Sequence, residues 1–250
     1  MAHKLGQEQP PEKLMKCTEE PDQLNVVSVA NPGASFLEFL HGATYPCVGA
    51  KSALSRGSIE THEFGTLGHG ENDQPIADGL SRFVAMIESD ACDKDIVHSY
   101  AAIFRGPREM NELGFESLLW AQLGRIHRLD ALAGNHLAED VSNDSDSPHF
   151  SLSIKEHPFF VIGLHAHASR LARRFSHPVL VFNSHRQFEQ LREDGRYRKI
   201  QAATRSRDIA LQGCVNPNLA DYGEASEARQ YSGREVEDSW RCPFDFKERP

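Results

Sequence analysis

Between His149 and Phe182 the chain carries three short runs rich in Phe, Val, Ile and Leu, and they constrain its fold more than any other feature. They are His149 to Ile154, Pro158 to Leu164 and Pro178 to Phe182. Runs of this length and composition read as strands of a sheet. Ile59 to Gly65 and Asp95 to Phe104 are two further strand candidates. Helical spacing is clearest in Leu113 to Leu132, where Phe115, Leu118, Leu119, Leu123, Ile126 and Leu129 recur at i, i+3, i+4, with Asn111 or Glu112 as the cap. Ala34 to His41, Ala50 to Ser55, Ala77 to Ser89, Ser184 to Glu193 and Tyr197 to Gln212 are the other helix candidates. Ala166 to Phe175 is basic and helical or turn-like, while Gly65 to Pro75 and Glu139 to Pro148 read as loops. Strands and helices are interspersed without regular βα alternation. The expectation is therefore an α+β fold, a central mostly antiparallel sheet with flanking helices in one domain. Residues 1–25 are polar, carry three prolines and read as a disordered arm, leaving residues 26–250 as the domain.

Charge and missing motifs exclude several function classes. With 27 basic and 36 acidic side chains the net charge is −9, the wrong sign for a duplex nucleic-acid binder. No interleaved aromatic and basic strand pattern marks a single-strand module either. No window approaches 18 uninterrupted apolar residues, so no membrane helix is expected. The first ten residues have no apolar core of a secretory signal, so the expected location is cytoplasmic. Five widely spaced cysteines without a C-x-x-C pair argue against a disulfide framework or a zinc knuckle, and most are expected to be free thiols. No G-x-S-x-G elbow, P-loop, G-x-G-x-x-G or H-E-x-x-H occurs.

What remains is a centre rich in His and Arg. The strand ending at Leu164 runs into His165-Ala-His167, followed by Arg170, Arg173 and Arg174. A strand end can present an imidazole into a cleft, and three arginines can hold an anion, although a solvated basic face explains them equally well. A second strand end carries Asn183, Ser184, His185 and Glu189. Ser184 there makes an ordinary helix cap, and His185 and Glu189 share a helix face at i, i+4. Arg205 to Asn218 and Glu227 to Arg234 are polar clusters without metal-ligand spacing.

At these clusters the chain resembles the YqcI/YcgG family. The resemblance rests on an ordered set of blocks: Tyr45-Pro-Cys-Val-Gly-Ala-Lys51, Phe115-Glu-Ser-Leu-Leu-Trp120, Phe159-Phe-Val-Ile-Gly-Leu-His165 and Ala168-Ser-Arg-Leu-Ala-Arg-Arg-Phe175. The set continues with Leu180-Val-Phe-Asn-Ser-His185-Arg-Gln-Phe-Glu189, Arg207-Asp208 with Leu211-Gln-Gly213, Glu227-Ala-Arg-Gln-Tyr-Ser-Gly-Arg234 and Trp240-Arg-Cys-Pro-Phe244. Ala166 and Ser184 stand where family members tend to carry proline, a departure in loop shape. The resemblance implies a haem-dependent N-hydroxylase of the guanidine group of L-arginine or an arginine-derived compound, using haem b, O2 and an external electron donor. On that reading His165 is the iron ligand, with His185 second and the thiols Cys47 and Cys242 as minority alternatives. Arg170, Arg173 and Arg174 would hold the haem propionates. Glu116, Glu189, Asp208 or Glu227 would receive the guanidinium, and Arg207 or Arg229 the substrate carboxylate. His185, or a water held by Asn183, would relay protons, so His185, Asn183 and Glu189 form the expected catalytic group. The expected partner is a guanidine-containing small molecule, with neither nucleic acid nor membrane, and a homodimer is left open. Two rivals stand beside this reading. One is a non-enzymatic haem carrier or sensor. The other is a non-haem iron or zinc enzyme built from His165, His185 and Glu189.

Overall fold

The structure is a computed structural model and describes residues 31–221 and 223–244. The arm expected at residues 1–25 lies outside the described residues. In chain order the elements are α1 (Pro32–His41), α2 (Val48–Ser55), β1 (Ile59–Thr66), α3 (Asp73–Glu88), β2 (Ser99–Gly106) and α4 (Glu112–Leu132). Then follow β3 (Leu152–Ile154), β4 (His157–Leu164), β5 (Val179–Ser184), α5 (His185–Glu193), α6 (Arg196–Gln212) and α7 (Ala228–Tyr231). The five strands make one sheet in the order β1-β2-β5-β4-β3. β1 and β2 run parallel, and the other three pairings are antiparallel. A parallel pair needs a crossover, and α3 supplies it; the antiparallel β3–β4 pair needs only the two-residue turn Lys155-Glu156. The α+β expectation with a mostly antiparallel sheet is met.

Strand alternation divides the core. Tyr100, Ala102 and Phe104 of β2, Leu180 and Phe182 of β5, and Phe159 and Val161 of β4 pack against α3 and α4. Ala101 and Ile103 of β2, Val179 of β5 and Leu164 of β4 meet Phe36 and Leu40 of α1, together with Phe175. β2 is covered on both faces, which is why Tyr100 to Phe104 is a continuous apolar run. Helix starts follow local chemistry. Asn111 Oδ1 accepts the Gly114 N–H at 2.9 Å, so Asn111 and not Glu112 is the cap of α4. Ser184 Oγ accepts the Gln187 N–H at 3.3 Å, and Gly213 ends α6 at a positive φ.

The boundaries differ from expectation where tertiary contacts decide them. The loop read as Gly65 to Pro75 closes early in a 3-10 turn at Gly70–Asn72, and α3 starts at Asp73 because proline is tolerated in a first helical turn. β3 begins at Leu152, not His149, and β2 at Ser99, not Asp95. Residues 166–175 form a turn with one 3-10 stretch, Leu171–Arg173. Among the described residues no helix is long and apolar enough to cross a membrane.

Candidate functional site

β4 ends at Leu164, and the following segment folds straight back. The His165 N–H donates to Arg173 O at 3.0 Å, and the Phe175 N–H to His165 O at 3.2 Å. Gly163, two residues earlier, faces α4: a Cβ there would lie 2.6 Å from the Phe115 ring. Its absence lets Phe115 settle against the strand and stack on His165, with ring centroids 4.5 Å apart. His165 is 1 % exposed, and its Nδ1 accepts the His167 N–H at 3.3 Å. That contact leaves the ring proton on Nε2, which makes no hydrogen bond to the described residues. Burial lowers the pKa of His165 to about 4, outweighing the opposing pull of Glu112, so the ring is neutral at pH 7.

Glu112 and His167 lead outward into a cleft of about 750 Å³. Glu109, Glu112, Glu235 and Glu237 line it, with His167 and Arg234 as its basic groups. The four acids outnumber the two bases: His167 Nε2 is 3.1 Å from Glu109, and Arg234, bound to buried Glu116 at 3.0 and 3.1 Å, also lies 3.4 Å from Glu237. The cleft is therefore net negative and suited to a cation.

The residues expected at one site are distributed over several places. β4 and β5 are antiparallel, with Leu164 opposite Val179 and Phe159 opposite Ser184. His165 follows the C-terminal end of β4, and His185 follows the C-terminal end of β5. They consequently sit at opposite ends of the sheet, roughly 20 Å apart at ~3.3 Å per residue. This overturns the non-haem site of His165, His185 and Glu189, and separates the expected catalytic group from the expected iron ligand. Among the described residues no group of three His, Cys, Asp or Glu side chains could hold a metal ion. His185 is buried, and burial holds its pKa near about 4; its Nε2 is 3.7 Å from Glu189, whose oxygen also meets Arg192. Asn183 is a link inside the sheet: its Oδ1 accepts from Ser99 Oγ at 2.8 Å, and its Nδ2 donates to Phe160 O at 3.3 Å.

The expected anion and substrate groups are mostly bound to one another. Arg170 pairs with Asp208 at 2.5 Å and donates to Cys214 O at 3.1 Å, so a presumed propionate ligand and a presumed substrate ligand neutralise each other. Arg173 donates to Gly163 O and Arg174 to Ala168 O, both at 2.9 Å. Arg207 ties α6 to Ala43 O and Tyr45 O, and Arg229 donates to Glu237 O and lies over the Trp240 ring. Buried Glu116 receives Arg234, Ser232 Oγ at 3.3 Å and Trp240 Nε1 at 3.2 Å. An internal guanidinium thus occupies the place given to the substrate. Glu227 is buried against the Tyr231 hydroxyl at 2.6 Å, and burial raises its pKa to about 8.

One buried relay carried no sequence signal, because its members lie 69 and 27 residues apart. His157 Nδ1 is 2.8 Å from Glu88, and its Nε2 is 2.8 Å from Ser184 Oγ. Ser184 is fully buried and caps α5, so the chain of bonds joins α3, β4 and α5 and presents no nucleophile. The acidic cleft was missed for the same reason, since Glu109 and Glu112 lie far in sequence from Glu235 and Glu237. Among the thiols, Cys47, Cys92 and Cys242 are free, in keeping with the expectation that most would be, and Cys214 is disulfide-bonded.

Fold and site together define an α+β protein in which β4 leads into a buried neutral histidine, two residues from the His167 that lines an acidic cleft. Residues 36–245 match the model of the YqcI/YcgG family, and the chain belongs to that family. No curated protein and no solved structure matches it significantly.

Proposed function

We propose that the chain is a haem-dependent N-hydroxylase of a guanidine-containing small molecule, L-arginine or a derivative of it. The observation that carries the reading is the neutral His165 beside a net negative cleft: one offers an imidazole to iron, the other suits a guanidinium. The donor set fits the iron. Ligation through Nε2 would move the ring proton to Nδ1 and forfeit the long bond from the His167 N–H, about 1 kcal/mol. The expected propionate arginines do not fit their role, because each is bound within the protein, and the cleft's own bases are engaged as well, His167 with Glu109 and Arg234 with Glu116. When bound, haem iron supplies the activation of O2, with electrons from an external donor. The chain's own part is to hold the cation between Glu109 and Glu112 on one wall and Glu235 and Glu237 on the other. Non-enzymatic haem carriage is a separate outcome of the test below.

The test is an absorption spectrum of protein produced with haem, followed by titration with L-arginine. A Soret band that shifts with arginine, and that is lost in His165→Ala while the far-ultraviolet circular dichroism is kept, is the expected result. A stable Soret band indifferent to arginine and to other guanidines points to a carrier or sensor. Absence of any Soret band after reconstitution overturns the haem reading.

A further inference from the structure

Away from the cleft, the connection between α3 and β2 brings a thiol and an imidazole together. Cys92 Sγ lies 3.5 Å from His98 Nε2. Backbone bonds fix both partners. The Cys92 N–H donates to Ser89 O at 3.1 Å, the Ile96 N–H to Asp93 O at 3.1 Å, and the His98 N–H to Gln187 Oε1 of α5 at 3.0 Å. Cys92 and His98 are both partly exposed. The other two free thiols differ. Cys47 Sγ accepts the Ala50 N–H as the cap of α2, and burial pushes its pKa up. Cys242 is pushed up by burial to about 12.

We propose that Cys92, with His98 as its base, is the reactive thiol of this chain and a site of covalent modification by small disulfides and carbon electrophiles. In disulfide exchange His98 Nε2 takes the Cys92 proton, and the thiolate attacks one sulfur of the incoming disulfide. A mixed disulfide forms, the old S–S bond breaks, and the departing thiolate takes its proton from the His98 imidazolium. No outside oxidant is consumed. The surroundings select the reagent. Asp90, Asp93 and Asp95 lie within three residues of Cys92, Asp95 being paired with Arg196 of α6 at 3.0 Å, and Glu60 and Asp93 act on His98 in opposition to its burial. Lys94 is turned to Ile87 O and Ser89 O. A neutral or cationic electrophile is therefore favoured over an anionic one.

The test uses the full chain and substoichiometric iodoacetamide at pH 7, with the labelled cysteine identified by peptide mass mapping. Cystamine and oxidised glutathione are then compared at low salt. Cys92 is expected to be labelled first. His98→Gln is expected to lower its rate on the order of tenfold and to remove the imidazole limb of the pH–rate profile. Cystamine is expected to react faster than oxidised glutathione. Urea unfolding of His98→Gln shows that the fold is kept, and Cys92→Ser identifies the labelled peptide. First labelling of Cys47 or Cys242, or a His98→Gln rate and pH profile equal to those of the parent, overturns the proposal.

Discussion

Glu116 shows what burial demands of a single charge. Its two oxygens receive Arg234, Ser232 and Trp240, and its side chain is 9 % exposed. Removing the cation strands a buried carboxylate, which is costlier than losing a surface pair. Arg234→Ala should therefore lower stability by about 3–5 kcal/mol, read as a fall in the urea midpoint at unchanged m-value. Glu227 resolves its burial differently. The Tyr231 hydroxyl accepts the Leu152 N–H and faces two acceptors, Phe159 O at 3.0 Å and Glu227 Oε1 at 2.6 Å, with one proton to donate. A protonated Glu227 satisfies all of them by donating to Tyr231. Burial raises its folded pKa from the ordinary 4.5 to about 8. Stability from this group is thus full below about pH 4.5 and drains as pH rises toward about 8. Glu227→Gln, which keeps a donor to Tyr231, should flatten that decline and raise stability at pH 8 by on the order of 1–3 kcal/mol. A denaturation series across that window measures it, and an unchanged slope would remove Glu227 as its source.

At the scale of elements, the β3–β4 hairpin is the most improvable joint. Lys155 and Glu156 have φ of 55° and 57°, the left-handed region that side chains with a Cβ adopt at a cost. The turn is held from outside: the Lys155 N–H donates to Asp130 Oδ1 at 3.1 Å, and Glu156 Oε1 accepts the His136 N–H at 3.2 Å. Asn-Gly suits this two-residue turn, so the double change Lys155→Asn with Glu156→Gly should stabilise by about 1 kcal/mol after losing the His136 contact. Thermal unfolding reads it as a rise of a few degrees, and a fall would mean that the side-chain contacts outweigh the backbone relief. Nothing in Lys-Glu announced this turn. By contrast Asn111 and Ser184 were legible as helix punctuation, since capping is settled within four residues of chain.

For the whole molecule, the antiparallel pairing of β4 with β5 is decisive. It sends His165 and His185 to opposite ends of the sheet, so they must behave independently. His185→Ala should leave haem binding and its arginine response intact, whereas His165→Ala should abolish both; the same spectral titration compares them. Equal loss in the two variants would mean that one site spans the sheet, against the strand register. The acidic cleft is likewise a property of the assembled chain, because its two walls come from residues 109–112 and 235–237.

The sequence by itself placed the five strands, six of the seven described helices, the caps of α4 and α5 and the α+β class, because periodicity and capping depend on neighbours a few residues away. It also placed the chain in its family through blocks read in order. Only the tertiary structure decided which polar groups meet. Arg170 found Asp208, Glu116 found Arg234, and His157 found both Glu88 and Ser184. A buried charge takes whichever partner the packing brings within reach. That choice depends on strand order and register, which local spacing does not encode.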